Sequence, residues 1–130
     1  MMFVLDSSAI IEVLGGSQLG AEVRDIVDGW AATTTSISYV EVMSGTTNKT
    51  EAVAEQLFAC LTLLDFTVAA AKKSLTIAKA LREKGRMVEW SDIFIAGICK
   101  NENAILVTCD QGFKHIPGIE IKLVGHKTED

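Results

Sequence analysis

Two short apolar runs in this chain each stop at an aspartate. Phe3-Val4-Leu5 leads into Asp6, Ser7 and Ser8, and Ala104-Ile105-Leu106-Val107 leads into Thr108, Cys109 and Asp110. Two more acids stand at the starts of helical patterns, Glu41 in Ser38-Tyr39-Val40-Glu41 and Asp92 in the stretch SDIFIAGICK. Four carboxylates brought close together cannot all stay ionised and bare, because each raises the pKa of the others. A divalent cation resolves the repulsion, and all-oxygen ligation completed by water and phosphate suits Mg²⁺ or Mn²⁺ rather than zinc. Such a site favours hydrolysis of a phosphodiester by metal-activated water, with no nucleophilic side chain required.

Each acid also has a plainer explanation. Ser38-x-x-Glu41 matches a capping box, in which the glutamate only closes a helix start. Asp6 and Asp110 could be turn or N-cap acids after strands. Asp92 could offset a helix dipole behind a Ser91 cap. Asp92 resists that account best. Its helix is apolar nearly all round, with Ile95, Ala96 and Cys99 on its own face, and a buried lone carboxylate costs several kcal/mol unless paired or bound to a cation.

Other chemistries fit less well. His115 and His126 lie near the C-terminus, away from the i,i+4 spacing of a helical zinc pair. Cys60, Cys99 and Cys109 form no C-x-x-C pair and read as small buried residues, and Cys109 has no identifiable base to make it a nucleophile. Gly15-Gly16 follows a helix rather than a strand and matches no phosphate loop. Phe58, Phe66, Phe94 and Trp30 read as core.

These residues need elements to position them. Strand-like runs fall near 2–5, 31–35, 61–65, 104–108 and 119–124, and helical patterns near 7–14, 18–28, 37–45, 50–60, 67–84 and 91–101. Strands alternating with helices imply βαβ units: an α/β fold, a doubly wound and mostly parallel five-stranded sheet covered on both faces. In such a sheet, loops after strands and the helix starts that follow gather on one edge, where ligands bind. Asp6, Glu41, Asp92 and Asp110 all fall on that edge. The segment 67–84 lies in a crossover that already has its return helix at 91–101, so it is expected as an extra arm or a helix lying across the sheet edge.

The chain of 130 residues is expected to be one domain, 1–130. No signal-peptide pattern or membrane-length apolar run is present, which points to the cytoplasm and no membrane. The formal charge of −5 argues weakly against a nucleic-acid partner, but six of the twelve basic residues fall between Lys72 and Arg86. Lys72, Lys79 and Arg82 share one helical face, which is either an ordinary solvated face or a strip that meets phosphates.

The order Asp6-Ser7-Ser8, Ser38-Tyr39-Val40-Glu41, Asp92-Ile93-Phe94-Ile95-Ala96-Gly97 and Val107-Thr108-Cys109-Asp110-Gln111-Gly112-Phe113 resembles the PIN-domain nucleases, most of all the short VapC-type toxins of toxin–antitoxin pairs. The resemblance spans essentially the whole chain. It implies a three-layer α/β/α fold and a Mg²⁺- or Mn²⁺-dependent endoribonuclease acting on RNA. It also implies a homodimer, inhibited by a small antitoxin protein whose segment occupies the active-site groove. By the same resemblance Asp6, Glu41, Asp92 and Asp110 form the acidic metal set, and Ser8 and Thr108 take the polar positions beside it. Gly97 stands where family members commonly have alanine, which should loosen helix packing slightly.

Two other classes compete. A receiver-like signalling module could use Asp65 as phosphoacceptor, with Asp6, Thr108 and Lys122 in supporting roles. A catalytically silent interaction domain would keep the scaffold without the metal.

Overall fold

The computed structural model describes residues 1–125 of the chain; His126 lies outside the described residues. Five strands, β1 (Phe3–Leu5), β2 (Ala32–Thr35), β3 (Thr62–Leu64), β4 (Ile105–Thr108) and β5 (Glu120–Leu123), form one sheet in the order β3-β2-β1-β4-β5. Every pairing is parallel, so the expected "mostly parallel" sheet is wholly so. Six α-helices cover it: α1 (Ser7–Gly15), α2 (Gln18–Val27), α3 (Ser36–Ser44), α4 (Glu51–Ala59), α5 (Val68–Glu83) and α6 (Trp90–Glu102). A 3-10 turn, Gln111–His115, follows β4.

Successive side chains on a strand face opposite ways, and the two cores follow that alternation. Val4 and Leu106 pack with Ile77, Leu81, Ile95, Phe113 and Ile116 beneath α5 and α6. Phe3, Leu5 and Val107 pack with Ala9, Ile10, Val23, Val42 and Phe58 beneath α1 to α4. The result is the three-layer α/β/α arrangement. The strand order reverses between β1 and β4, and their register sets Leu5 opposite Val107, so the residues that follow, Asp6 and Thr108, emerge side by side. Among the described residues, no helix is long and apolar enough to cross a membrane.

Three local expectations change. Helix α3 begins at Ser36, because Thr35 is its cap and its Oγ1 accepts from the Ser38 backbone N–H at 3.0 Å. Ser38 is thus already helical, and the capping box read at Ser38-x-x-Glu41 does not form, since its first residue must be non-helical. Helix α6 begins at Trp90 after Glu89, so Ser91 is not its cap.

Helix α5 is not an arm. Ala70, Ser74, Ile77, Ala78 and Leu81 bury one face of it against α6 and the sheet. At the contact with α6, a Cβ on Gly97 would stand 1.9 Å from Ser74 Oγ and 2.7 Å from the Ala70 carbonyl oxygen. Gly97 therefore tightens helix packing rather than loosening it, since only the missing side chain lets α5 come this close.

The core assignments also need amending. Trp30 is half exposed, edge-on to Phe3. Phe66 and Phe94 are only partly buried, while Phe58 is buried. Of the cysteines, Cys99 is buried, Cys109 partly so, and Cys60 is exposed.

Candidate active site

Asp6 is the floor of the site. It is the N-cap of α1 and is 2% exposed. Its Oδ1 accepts from Ser8 Oγ at 2.7 Å and from the Ala9 backbone N–H at 2.9 Å, and its Oδ2 accepts from Thr108 Oγ1 at 2.5 Å. The plain capping role is therefore met, and the same carboxylate is tied to the end of β4 through Thr108. Burial pushes its pKa up, the three hydrogen bonds oppose that, and the charge of Asp110 adds to it.

Two hydroxyls tie the ends of β1 and β4 together. Ser8 Oγ lies 3.2 Å from Thr108 Oγ1 and accepts from the Cys109 backbone N–H at 3.0 Å. Thr108 Oγ1 accepts from the Asp110 backbone N–H at 3.0 Å. Asp110 caps the 3-10 turn, its Oδ1 accepting from the Gly112 N–H at 2.8 Å, and the residue stays exposed.

Asp92 sits half-buried in the first turn of α6. Burial pushes its carboxyl up to about 6 from the ordinary 3.8, and the charges of Asp110, Glu41, Asp6 and Glu89 push the same way. The other three acids foreseen from the sequence thus lie close enough to act on Asp92. Glu41 lies in the second turn of α3, where its Oε1 accepts from Ser7 Oγ at 3.2 Å. Ser7 was missed in the sequence, where nothing separates it from an ordinary residue at a helix start.

The donor set, four carboxylates backed by hydroxyls, is the all-oxygen chemistry of a hard divalent cation. Among the described residues, no three acidic, histidine or cysteine side chains close on a single point. Mg²⁺ does not need such a cage, because it keeps several waters and takes one or two carboxylates together with substrate phosphate. The residues fit a cation of that kind, and they do not fit thiol chemistry. Burial, followed by the charges of Asp6, Glu12 and Glu22, pushes the Cys109 thiol up to about 11, so it stays protonated at neutral pH.

Basic groups stand on the rim. A cleft of about 260 Å³ beside Asp92 is lined by Arg86, Met87, Val88, Gly112 and His115. His115 has its pKa lowered by desolvation and by the nearby charges of Arg86 and Lys114. Arg86 was not singled out from the sequence, because it lies past the end of α5 where helical periodicity gives no signal. Lys72, Lys79 and Arg82 are exposed on α5. Lys79 and Arg82 share a shallow recess with Glu83, and Arg82 continues into a cleft with Arg86 and Trp90. Lys72 lies ten positions earlier, about 15 Å along the helix.

The receiver-like reading fails on strand order. Asp65 follows β3 and Lys122 lies on β5, the two opposite edges of the sheet, roughly 19 Å apart at the usual strand spacing.

Fold and site together define a class: an all-parallel α/β/α domain that gathers acids where its strand order reverses. The PIN domain family matches residues 3–119, and the chain belongs to that family. Its fold is similar to that of VapBC2 from Rickettsia felis, solved bound to a promoter DNA fragment, with TM-score 0.83, 20% identity, and 95% of this chain and 99% of that one covered. DNA-bound VapBC from Salmonella typhimurium gives TM-score 0.81 and 26% identity, covering 94% of this chain and 97% of that one. VapBC-5 from Mycobacterium tuberculosis, a member of the VapBC family of toxin–antitoxin systems, gives 0.75 and 23%, covering 95% and 98%. No curated protein matches the chain by sequence.

Proposed function

We propose that this chain is a Mg²⁺- or Mn²⁺-dependent endoribonuclease, the toxin of a toxin–antitoxin pair, acting in the cytoplasm as a homodimer. The observation that carries the reading is that the other three acids reach Asp92, whose carboxyl is pushed up to about 6 first by burial and then by the charges of Asp110, Glu41 and Asp6, a strain on that one group. A bound divalent cation would relieve that strain, activate a water and neutralise charge developing on the phosphate.

The chain's own residues prepare the site. Ser8 and Thr108 fix the orientation of Asp6, and the turn at Gly112 fixes Asp110. Ser7 holds Glu41 toward the same edge. Asp92, half-exposed, would serve to accept a proton or to hold the cation. Lys79 and Arg82 on α5 are suited to backbone phosphates, with Lys72 further out along the same face.

Similarity to VapBC complexes supports an antitoxin partner. A groove of about 430 Å³, lined by Ile11, Leu14, Val42 and Val53 together with Glu41, offers an apolar seat for a peptide beside that acid. Ile11 and Val53 are each 55% exposed there. The test is cleavage of single-stranded RNA by purified protein with Mg²⁺ or Mn²⁺. Loss of cleavage with chelator, and in Asp6→Asn and Asp92→Asn, is expected; cleavage that survives both substitutions and chelator overturns the reading.

A further inference from the structure

A second feature lies on the rim, and neither the metal chemistry nor the antitoxin groove uses it. Trp90, the first residue of α6, is 53% exposed. Its ring stacks on Phe94 with centroids 5.8 Å apart and planes 29° apart, and Phe94 packs on Phe66 at 4.6 Å. The indole is thus backed by two rings while half of it faces solvent. A ring held from behind in this way keeps its open face available to a flat, apolar partner.

The surroundings specify what that is. Trp90 shares a cleft with Arg82 and Arg86, and Arg86, Met87 and Val88 also line the neighbouring cleft that contains Asp92. One short segment is therefore the common wall between the indole and Asp92. The chain as a whole is acidic, at −5, yet this corner holds two guanidinium groups, with Lys79 beside Arg82. Cations flanking an exposed ring, a few residues from a phosphodiester-cleaving centre, match a single nucleic-acid strand. Bases stack on aromatic faces, and arginines hold the phosphates between them.

We propose that Trp90 is a nucleobase-stacking platform that, with Arg86 and Arg82 on the flanking phosphates, positions single-stranded RNA so that the next phosphodiester lies over the acids. The proposal rests on the ribonuclease reading, and it deepens that reading by naming a positioning residue on the substrate side.

Trp90 reports on itself. The chain has two tryptophans, and Trp30 packs against Phe3 away from the acids, so Trp30→Phe leaves one indole to follow. Short homopolymeric RNA added to this variant, with chelator present to prevent cleavage, is expected to quench Trp90 emission. An abasic ribose-phosphate oligomer should bind more weakly and leave the emission unchanged. By alternative readout, such as polarisation of labelled RNA, Trp90→Ala should weaken binding roughly ten-fold, the usual size of one base stack. Trp90→Phe should restore most of it, and Arg86→Gln should weaken binding in a way that added salt masks.

Metal-dependent cleavage is measured on the same preparation. An enzyme that cleaves RNA while Trp90 emission ignores the strand overturns the platform and leaves the nuclease standing. Emission that shifts with protein concentration alone, RNA having no effect, assigns the indole to contact between copies and also overturns the proposal.

Discussion

Thr108 Oγ1 donates a hydrogen bond to Asp6 Oδ2 at 2.5 Å, joining the ends of two adjacent central strands from residues 102 positions apart. The same hydroxyl accepts from the Asp110 N–H and lies 3.2 Å from Ser8 Oγ. One oxygen thus orients a buried carboxylate and the backbone that carries a second acid. Partners of metal-binding carboxylates commonly matter nearly as much as the ligands themselves.

Thr108→Val keeps the shape and removes the donor. Asp6 then loses a charge-assisted bond inside the protein, costing about 1–3 kcal/mol of stability. Activity is expected to fall about 10–100-fold with weaker apparent metal affinity. Thr108→Ser should recover most of both. Titration of cleavage rate against Mg²⁺ separates the effects; a Val variant with unchanged metal dependence would show that Thr108 only packs.

The strained state of Asp92 predicts an unusual pH response. Its pKa is raised in the folded protein, from 3.8 to about 6, so the fold holds this proton more tightly than the unfolded chain does. Between those values the native state binds more protons, and stability therefore falls as pH rises through the window. Most of the cost is in place at neutral pH. Asp92→Asn removes it, so the metal-free variant should be more stable than the native protein by about 1 kcal/mol near neutrality, a figure discounted for the half-exposed position. The gap should shrink towards zero as pH approaches the ordinary carboxylate range. Thermal melts of both proteins across this range check it, and a gap independent of pH counts against the account.

Gly97 gives a test of packing that is remote from the chemistry. An added Cβ would collide with Ser74 Oγ, which donates to the Ala70 carbonyl at 2.9 Å and to the Ile93 carbonyl at 3.3 Å. Gly97→Ala should therefore destabilise by about 1–3 kcal/mol, despite the better helix propensity of alanine. Ser74→Ala in the same chain should recover part of this, because the Ala70 carbonyl remains in the way. Denaturant melts decide the matter; a neutral or stabilising Gly97→Ala would mean that α5 moves aside at little cost.

The contrast between Gly97 and the acids shows which features the sequence made legible. Asp6, Asp92 and Asp110 were readable because strand ends and helix starts follow from hydrophobic period, and parallel topology then forces them to one edge. Helix α5 was legible as a helix, and its buried face was correctly divided from its basic face. Its place was not, because periodicity says which face is covered and not by what. Glu41 was found, but its start signal was misread, since three consecutive threonines and a serine offer several possible caps and only backbone geometry chooses Thr35. The roles of Arg86 and Ser7 went unread for a related reason: they depend on neighbours distant in sequence.

The cation itself supplies the last test, and it separates a working nuclease from a domain that keeps the scaffold and has lost the chemistry. A ligand that binds only the folded state stabilises it by RT ln(1 + [L]/Kd), or about 2.7 kcal/mol at one hundred times Kd. For a chain of this size that is a rise in Tm on the order of 10 °C. Mg²⁺ or Mn²⁺ should raise the Tm of the native protein with the concentration dependence of binding. The effect should be largest above the Asp92 pKa of about 6, where metal need not displace a proton. Asp6→Asn and Asp92→Asn should lose most of the rise, even where Asp92→Asn starts from a higher Tm without metal. If metal stabilises the native protein and Asp92→Asn equally, the cation binds elsewhere and the acids at the β1–β4 junction are not its ligands.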